Sequence, residues 1–265
     1  MKVAQQIWTE ANEWETIQEA DISSTAQLAL VFGNKKTFAP AYAHLLEKIK
    51  TDYPNAQVVL SSTSGEIVDN EVHDDSLTVT AIEFEQTRIK IEEVTIKEGG
   101  SSEAVGRHLA KALQEDDLKH VFVVSDGLNV NGTELINGMN ENLSADVSIT
   151  GGLAGDGPDF KQTFVGLNTP NPMKVVGIGF YGNNLQIGYG SVGGWDAFGA
   201  ERTVTKSEAN VLYELDGKPA LELYKTYLGK KAEELPASAL LFPLSLKTDD
   251  ETSTGDVVRT ILAID

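Results

Sequence analysis

Hydroxyls, carboxylates and glycines gather in three short stretches of this chain. They are Ser62-Thr63-Ser64-Gly65, Ser125-Asp126-Gly127-Leu128-Asn129, and the run 151–157, which holds Gly152, Gly155 and Asp156. Each follows an apolar run of strand length. In open α/β sheets, ligands bind beyond the carboxyl ends of strands, where loops bring small side chains and backbone N–H groups together. Such a set suits a small polar molecule with an ammonium or hydroxyl group. Ser, Asp, Asn and Gly are also the residues that turns require. Taken alone, each stretch reads equally as a plain turn. Asp126 and Asp156 form a carboxylate pair only if the fold brings them together, so a hydrolase built on them stands as an alternative that spacing cannot decide.

Other patterns that suggest chemistry fail on context. Gly177-x-Gly179-x-x-Gly182 has dinucleotide spacing, but a second strand pattern follows it where the fingerprint needs a helix. There is no phosphate-binding Gly-Lys-Ser/Thr loop. Ser125 lacks the Gly-x-Ser-x-Gly setting of an activated serine, and no histidine is spaced to serve it. The four histidines, His44, His73, His108 and His120, make no metal-spaced pair. His73-Asp74-Asp75 reads as a solvated acidic turn. With no cysteine, disulfides, thiolate metal sites and thiol nucleophiles are excluded. Trp195 and Phe198, flanked by glycines, either wall a ligand or plug a core, and core packing is the simpler expectation.

The elements that must carry these loops follow from periodicity. An apolar run at 28–32 reads as a buried strand, and Phe38, Tyr42, Leu45, Leu46 and Ile49 share one helical face after it. A second strand at 57–60 enters the serine loop. The pattern recurs: a strand at 121–124, a helix through Leu135, Met139 and Leu143, and a strand at 147–150 that enters the glycine loop. Strand–helix–strand–small loop thus occurs twice, over 27–65 and 120–157, as a duplicated right-handed βαβ unit would. Alternation at Leu77, Val79, Ala81 and at Ile89, Ile91 predicts a hairpin between the two units. Ser101-Ser102-Glu103 opens a helix along Val105, Leu109, Ala112 and Leu113. Beyond Phe160 the texture is strands at 164–167, 175–181, 185–192 and 211–215 with many glycines, and a capping-box pattern at 205–208 competes as a helix start. A helix follows Gly217-Lys218-Pro219, with Ala220, Leu221, Tyr224, Tyr227 and Leu228 inward and Gly229 closing it. The fold class is therefore α/β (mixed α+β): duplicated βαβ-type layers with mixed sheets, then a glycine-rich antiparallel β segment.

Composition bounds the rest. At 265 residues, with 41% hydrophobic and 23% charged, the chain can build a globular core. A net charge of −19 repels nucleic acid and anionic lipid, so neither is an expected partner. The N-terminus shows no apolar leader, and no apolar run approaches membrane-spanning length, so a cytoplasmic location without membrane insertion is expected. The polar run 247–255 reads as a loop, and the strand-like run 256–265 ends bluntly, which suggests a missing continuation.

The order of these segments resembles the FIST family of sensory domains. The resemblance rests on Ser125-Asp126-Gly127, on Ile149-Thr150-Gly151-Gly152-Leu153-Ala154-Gly155-Asp156-Gly157, on Gly193-Gly194-Trp195 and on Arg202-Thr203-Val204-Thr205-Lys206-Ser207. The run 210–224 is similar to the join between the family's two halves. The resemblance implies a FIST N-terminal sensory domain over 25–200 and the start of a FIST C-terminal domain, incomplete, over 201–265. It implies a non-catalytic module that binds small ligands such as amino acids. Its implied signalling partners, acting in trans, are a histidine kinase, a chemoreceptor or a cyclic-dinucleotide enzyme. No cofactor is expected. A haem-based nitric oxide sensor is the alternative, and any of the four histidines would then be the ligand. From the loop argument, the expected ligand-binding residues are Ser62, Thr63, Ser64, Ser125, Asp126, Asn129, Gly152, Gly155, Asp156 and Trp195.

Overall fold

Near-continuous apolar runs need a covering surface on each face of a strand, and the central strands of this chain find both. A computed structural model describes residues 1–96, 100–190, 195–247, 257–261 and 263–264. It divides into two units, Met1–Tyr189 and Gly190–Asp265. The first unit runs β1 (Lys2–Thr9), β2 (Glu13–Gln18), β3 (Leu28–Asn34), α1 (Ala43–Asp52), β4 (Gln57–Thr63), β5 (Glu66–Val68), β6 (Glu71–His73), β7 (Leu77–Glu83) and β8 (Arg88–Thr95). It continues with α2 (Ser102–Leu113), β9 (Leu118–Ser125), α3 (Gly132–Asn140), β10 (Ser148–Leu153), β11 (Val165–Leu167) and β12 (Lys174–Tyr181).

These strands form two mixed sheets, in the order β11-β4-β3-β7-β1-β2 and β10-β9-β12-β8, beside a small β5–β6 hairpin. The parallel pairs are β3 with β4 and β9 with β10, each joined through one α-helix, which two short 3-10 turns precede in the first case. The other pairings are antiparallel. Four strands of the first sheet, β4-β3-β7-β1, match β10-β9-β12-β8 of the second in order and direction. The repeat visible in the sequence is therefore a repeat of topology.

The layers follow from which face each side chain takes. Leu45 and Ile49 of α1 pack on Ala29, Val31, Val58 and Leu60 of the first sheet. Leu109, Leu113, Leu135 and Met139 of α2 and α3 pack on Val121, Val123 and Val175 of the second. The opposite faces meet each other through Leu28, Val59, Val124, Val176 and Ile178, with Phe32, Phe122 and Phe180 alongside. The first unit is thus a helix–sheet–sheet–helix sandwich. α2 and α3 cross at glycines: a Cβ on Gly106 would meet the Leu135 carbonyl oxygen at 2.1 Å, and one on Gly138 the Glu103 carbonyl oxygen at 2.1 Å. Ser101 caps α2 as expected, and Asn131 caps α3 by accepting the N–H groups of Thr133 and Glu134.

Two expectations need correction here. The runs at 77–83 and 88–95 are not a hairpin: β7 pairs with β1 and β3, and β8 with β12 in the other sheet. Leu77, Val79 and Ala81 pack on the α1 side of the first sheet, whereas Ile89 and Ile91 join Ile82 in the core between the sheets, so the two alternating runs serve different layers. No strand forms across 182–190, where the chain turns and runs without pairing. The remainder of that expected strand, Ser191 and Val192, lies outside the described residues, as do Gly193, Gly194 and all of the 247–255 loop except Lys247.

In the second unit, β13 (Val204–Glu208), β14 (Val211–Leu215) and β15 (Lys218–Pro219) form an antiparallel sheet. Strand pairing prevails over the competing helix start at 205–208. Asp216 and Gly217 both take positive φ, as a two-residue hairpin turn demands. α4 (Ala220–Leu228) follows and ends at Gly229, but of its expected inward face only Ala220 is buried and Tyr227 is exposed. β16 (Leu244–Leu246) pairs with β17 (Val257–Arg259).

Candidate functional site

β4 runs on through Thr63 and β10 through Leu153, so the expected serine and glycine loops are in large part the ends of equivalent strands of the two sheets, and backbone hydrogen bonds draw them together. After β10 the chain crosses from the second sheet to the first. The Ala154 N–H donates to the Ser125 carbonyl (2.8 Å), the Gly155 N–H to the Ser62 carbonyl (2.9 Å), and the Gly157 N–H to Ser64 Oγ (3.2 Å). The chain then enters β11 beside β4, where Phe164 N–H donates to Ser62 Oγ (2.9 Å). Gly155 sits so close that a Cβ would meet Ser64 Oγ at 2.4 Å.

Between the loops lies a hollow of about 440 Å³. Ser61, Ser62, Thr63 and Ser64 line one side, and Gly151, Gly152, Leu153 and Gly155 the other. Phe32, Phe122 and Val124 give it an apolar surface. Among the described residues, no charged side chain lines it. Among the expected residues, Ser62, Thr63, Ser64, Gly152 and Gly155 meet here.

The expected acids do not line the hollow. Asp126 is 1% exposed, and its carboxylate accepts the N–H groups of Leu128 (2.9 Å), Asn129 (2.7 Å) and Met173 (3.0 Å), and the side-chain amide of Asn129 (3.0 Å). Asp156 is 7% exposed and accepts the N–H groups of Phe160 (3.2 Å), Lys161 (2.8 Å) and Gln162 (3.0 Å), with Lys35 Nζ at 3.5 Å. Asp156 is spent on folding its own loop, and Asp126 on folding its own loop and holding the residue before β12. The buried Ser125 turns its hydroxyl to the Asp126 carbonyl (3.4 Å). Ser125, Asp126, Asn129 and Asp156 therefore hold the loops from behind. Trp195 belongs to the second unit, 54% exposed, and Phe198 is 90% exposed, so neither plugs a core there.

The family model of the FIST N domain matches residues 27–218. The chain belongs to the FIST N domain family. The hollow lies wholly within the matched stretch of this FIST domain, and β1 and β2 precede it. The family is a sensory one associated with signalling. No curated protein matches the sequence. Among the described residues, no helix of this FIST domain is long and apolar enough to cross a membrane.

Two buried titratable groups complete the picture. Glu66, 3% exposed at the start of β5, accepts the hydroxyls of Thr63 and Ser76. Burial pushes its carboxyl above the ordinary 4.5, against those hydrogen bonds. His120 is buried between Ser148 Oγ, 2.7 Å from Nδ1, and Thr150 Oγ1, 2.8 Å from Nε2. Burial lowers its pKa from 6.5. Both its nitrogens are engaged, and no histidine lines the hollow, so the hollow does not fit a haem held by an axial imidazole. Among the described residues, no group of three or more His, Asp or Glu could hold a metal ion. Sequence reasoning missed Phe32, Phe122, Val124 and Glu66, while Ser61, Gly151 and Leu153 stand in or beside the candidate stretches without being among the expected ligand residues. The aromatics and valine read as core, and Glu66 had no motif to mark it.

Proposed function

We propose that this FIST domain is a non-catalytic receptor that takes a small polar metabolite, an amino acid or a relative of one, into the hollow between its sheets. It acts in the cytoplasm and passes the signal in trans to a partner such as a histidine kinase, a chemoreceptor or a cyclic-dinucleotide enzyme. One observation carries this reading: the ends of β4 and β10, from two different sheets, converge on one hollow that is hydroxyl-rich on one side and without bulky side chains on much of the other. Ligand pockets are typically apolar clefts with a few placed polar groups. The engagement of Asp126 and Asp156 by backbone donors supports binding over hydrolysis.

The test is a thermal-denaturation screen of amino acids and related metabolites. A ligand at a hundred times its dissociation constant adds about 2.7 kcal/mol of stability. Gly152 supplies the control. A Cβ there meets nothing within 4 Å, so a side chain can leave the backbone without a clash, and Gly152→Leu puts bulk at the wall of the hollow. The variant should fold and lose the ligand-dependent shift. A ligand that stabilises both proteins equally binds elsewhere, and the reading then fails.

A further inference from the structure

Glu66 bears no motif and does not line the hollow, yet it is tied to its wall. Its two oxygens accept the hydroxyl protons of Thr63 and Ser76. An ionised carboxylate only accepts, so both protons are committed to it. Thr63 lines the hollow. With its proton turned to Glu66, its oxygen has only lone pairs left for a ligand. We propose that Glu66 is a specificity-determining residue: by holding the Thr63 proton it makes that wall a hydrogen-bond acceptor and selects ligands that present an O–H or N–H there. This rests on the hollow being the ligand site.

The surroundings leave Glu66 able to change state. It faces His73 across the hairpin, and the His73 ring lies 3.7 Å from Glu71. Asp74 adds like charge to the effect of burial. Of the other strands packed on β5, β3 carries no titratable side chain, and β7 carries only Glu83 at its far end, beside Lys2. Among the described residues, no ion pair involves Glu66. Protonation would let the carboxyl donate to one hydroxyl and release that hydroxyl's proton. The preference for donor ligands should then fade in acid.

The experiment uses the whole chain and two uncharged probes on one carbon skeleton. The first is 1-phenylethanol, which donates a hydrogen bond, and the second is acetophenone, which only accepts. Binding is followed by the backbone amide NMR shifts of 61–64 and 151–155. The unmodified protein should prefer the alcohol by about tenfold, equivalent to ~1.4 kcal/mol. In Glu66→Gln the amide can donate to Thr63 and free its proton, so the ratio should fall below about threefold. Thr63→Val removes the hydroxyl and should abolish the preference, which keeps the test sound if Glu66→Gln fails to fold. Equal affinities in the unmodified protein, or a ratio that both variants preserve, would overturn the inference while leaving the hollow as a site. If neither probe moves those amides, the receptor reading falls and takes the inference with it.

Discussion

A buried carboxylate must be answered by donors, and at Asp126 and Asp156 the donors are backbone N–H groups of their own loops or of a neighbouring strand. Asp126→Asn puts an amide N–H where an acceptor is needed, and should cost about 2 kcal/mol of stability in urea denaturation. The types of these residues are legible in the sequence, but their role is not. Which N–H groups close on a carboxylate depends on how the chain returns, as Met173 does to Asp126 at the start of β12, the strand that pairs with β9. His120 gives a pH prediction at the same scale. Its lowered pKa means that the unfolded chain binds more protons below 6.5. Its stabilising share is therefore whole above 6.5 and is lost as pH falls through the folded value. As pH falls below 6.5, His120→Asn should show a flatter stability curve than the unmodified protein. Glu66 acts with the opposite sign. Its raised pKa makes its share whole below 4.5 and lost as pH rises through the folded value.

At the scale of elements, the α2–α3 crossing is the tightest contact on the outer face of the second sheet. Gly106→Ala would force a methyl toward the Leu135 carbonyl, and the helices would have to part. A loss of about 2 kcal/mol in chemical denaturation is expected. Gly152→Ala, facing open space, should stay within about 0.5 kcal/mol. The βαβ units are legible because local periodicity fixes both strand and helix. The partners of β7 and β8 are not, because alternation states which face is apolar and never which sheet covers it. β1 escapes notice because its buried residues, Ala4, Ile7 and Trp8, break strict alternation, and β2 because only Trp14 is even half-buried.

For the whole molecule, charge is the dominant long-range influence. With 40 acidic and 21 basic side chains, self-repulsion works against the compact state. Raising ionic strength from about 10 mM to about 300 mM should raise the melting temperature, since screening shortens the reach of repulsion more than that of close pairs. A fall in melting temperature would show instead that salt bridges such as Lys174–Glu93 outweigh the repulsion.

The repeat is also not symmetrical in what it gives away. The segment that follows β10 belongs to the second copy, yet it ends as β11, an added strand in the first copy's sheet. The copies are stitched together by a loaned strand. The copies cannot be parted without breaking the main-chain hydrogen bonds of β11 to β4 and of Gly155 and Asn168 to the same strand. A molecule lodged at the seam therefore touches both copies at the place where one is already fastened to the other.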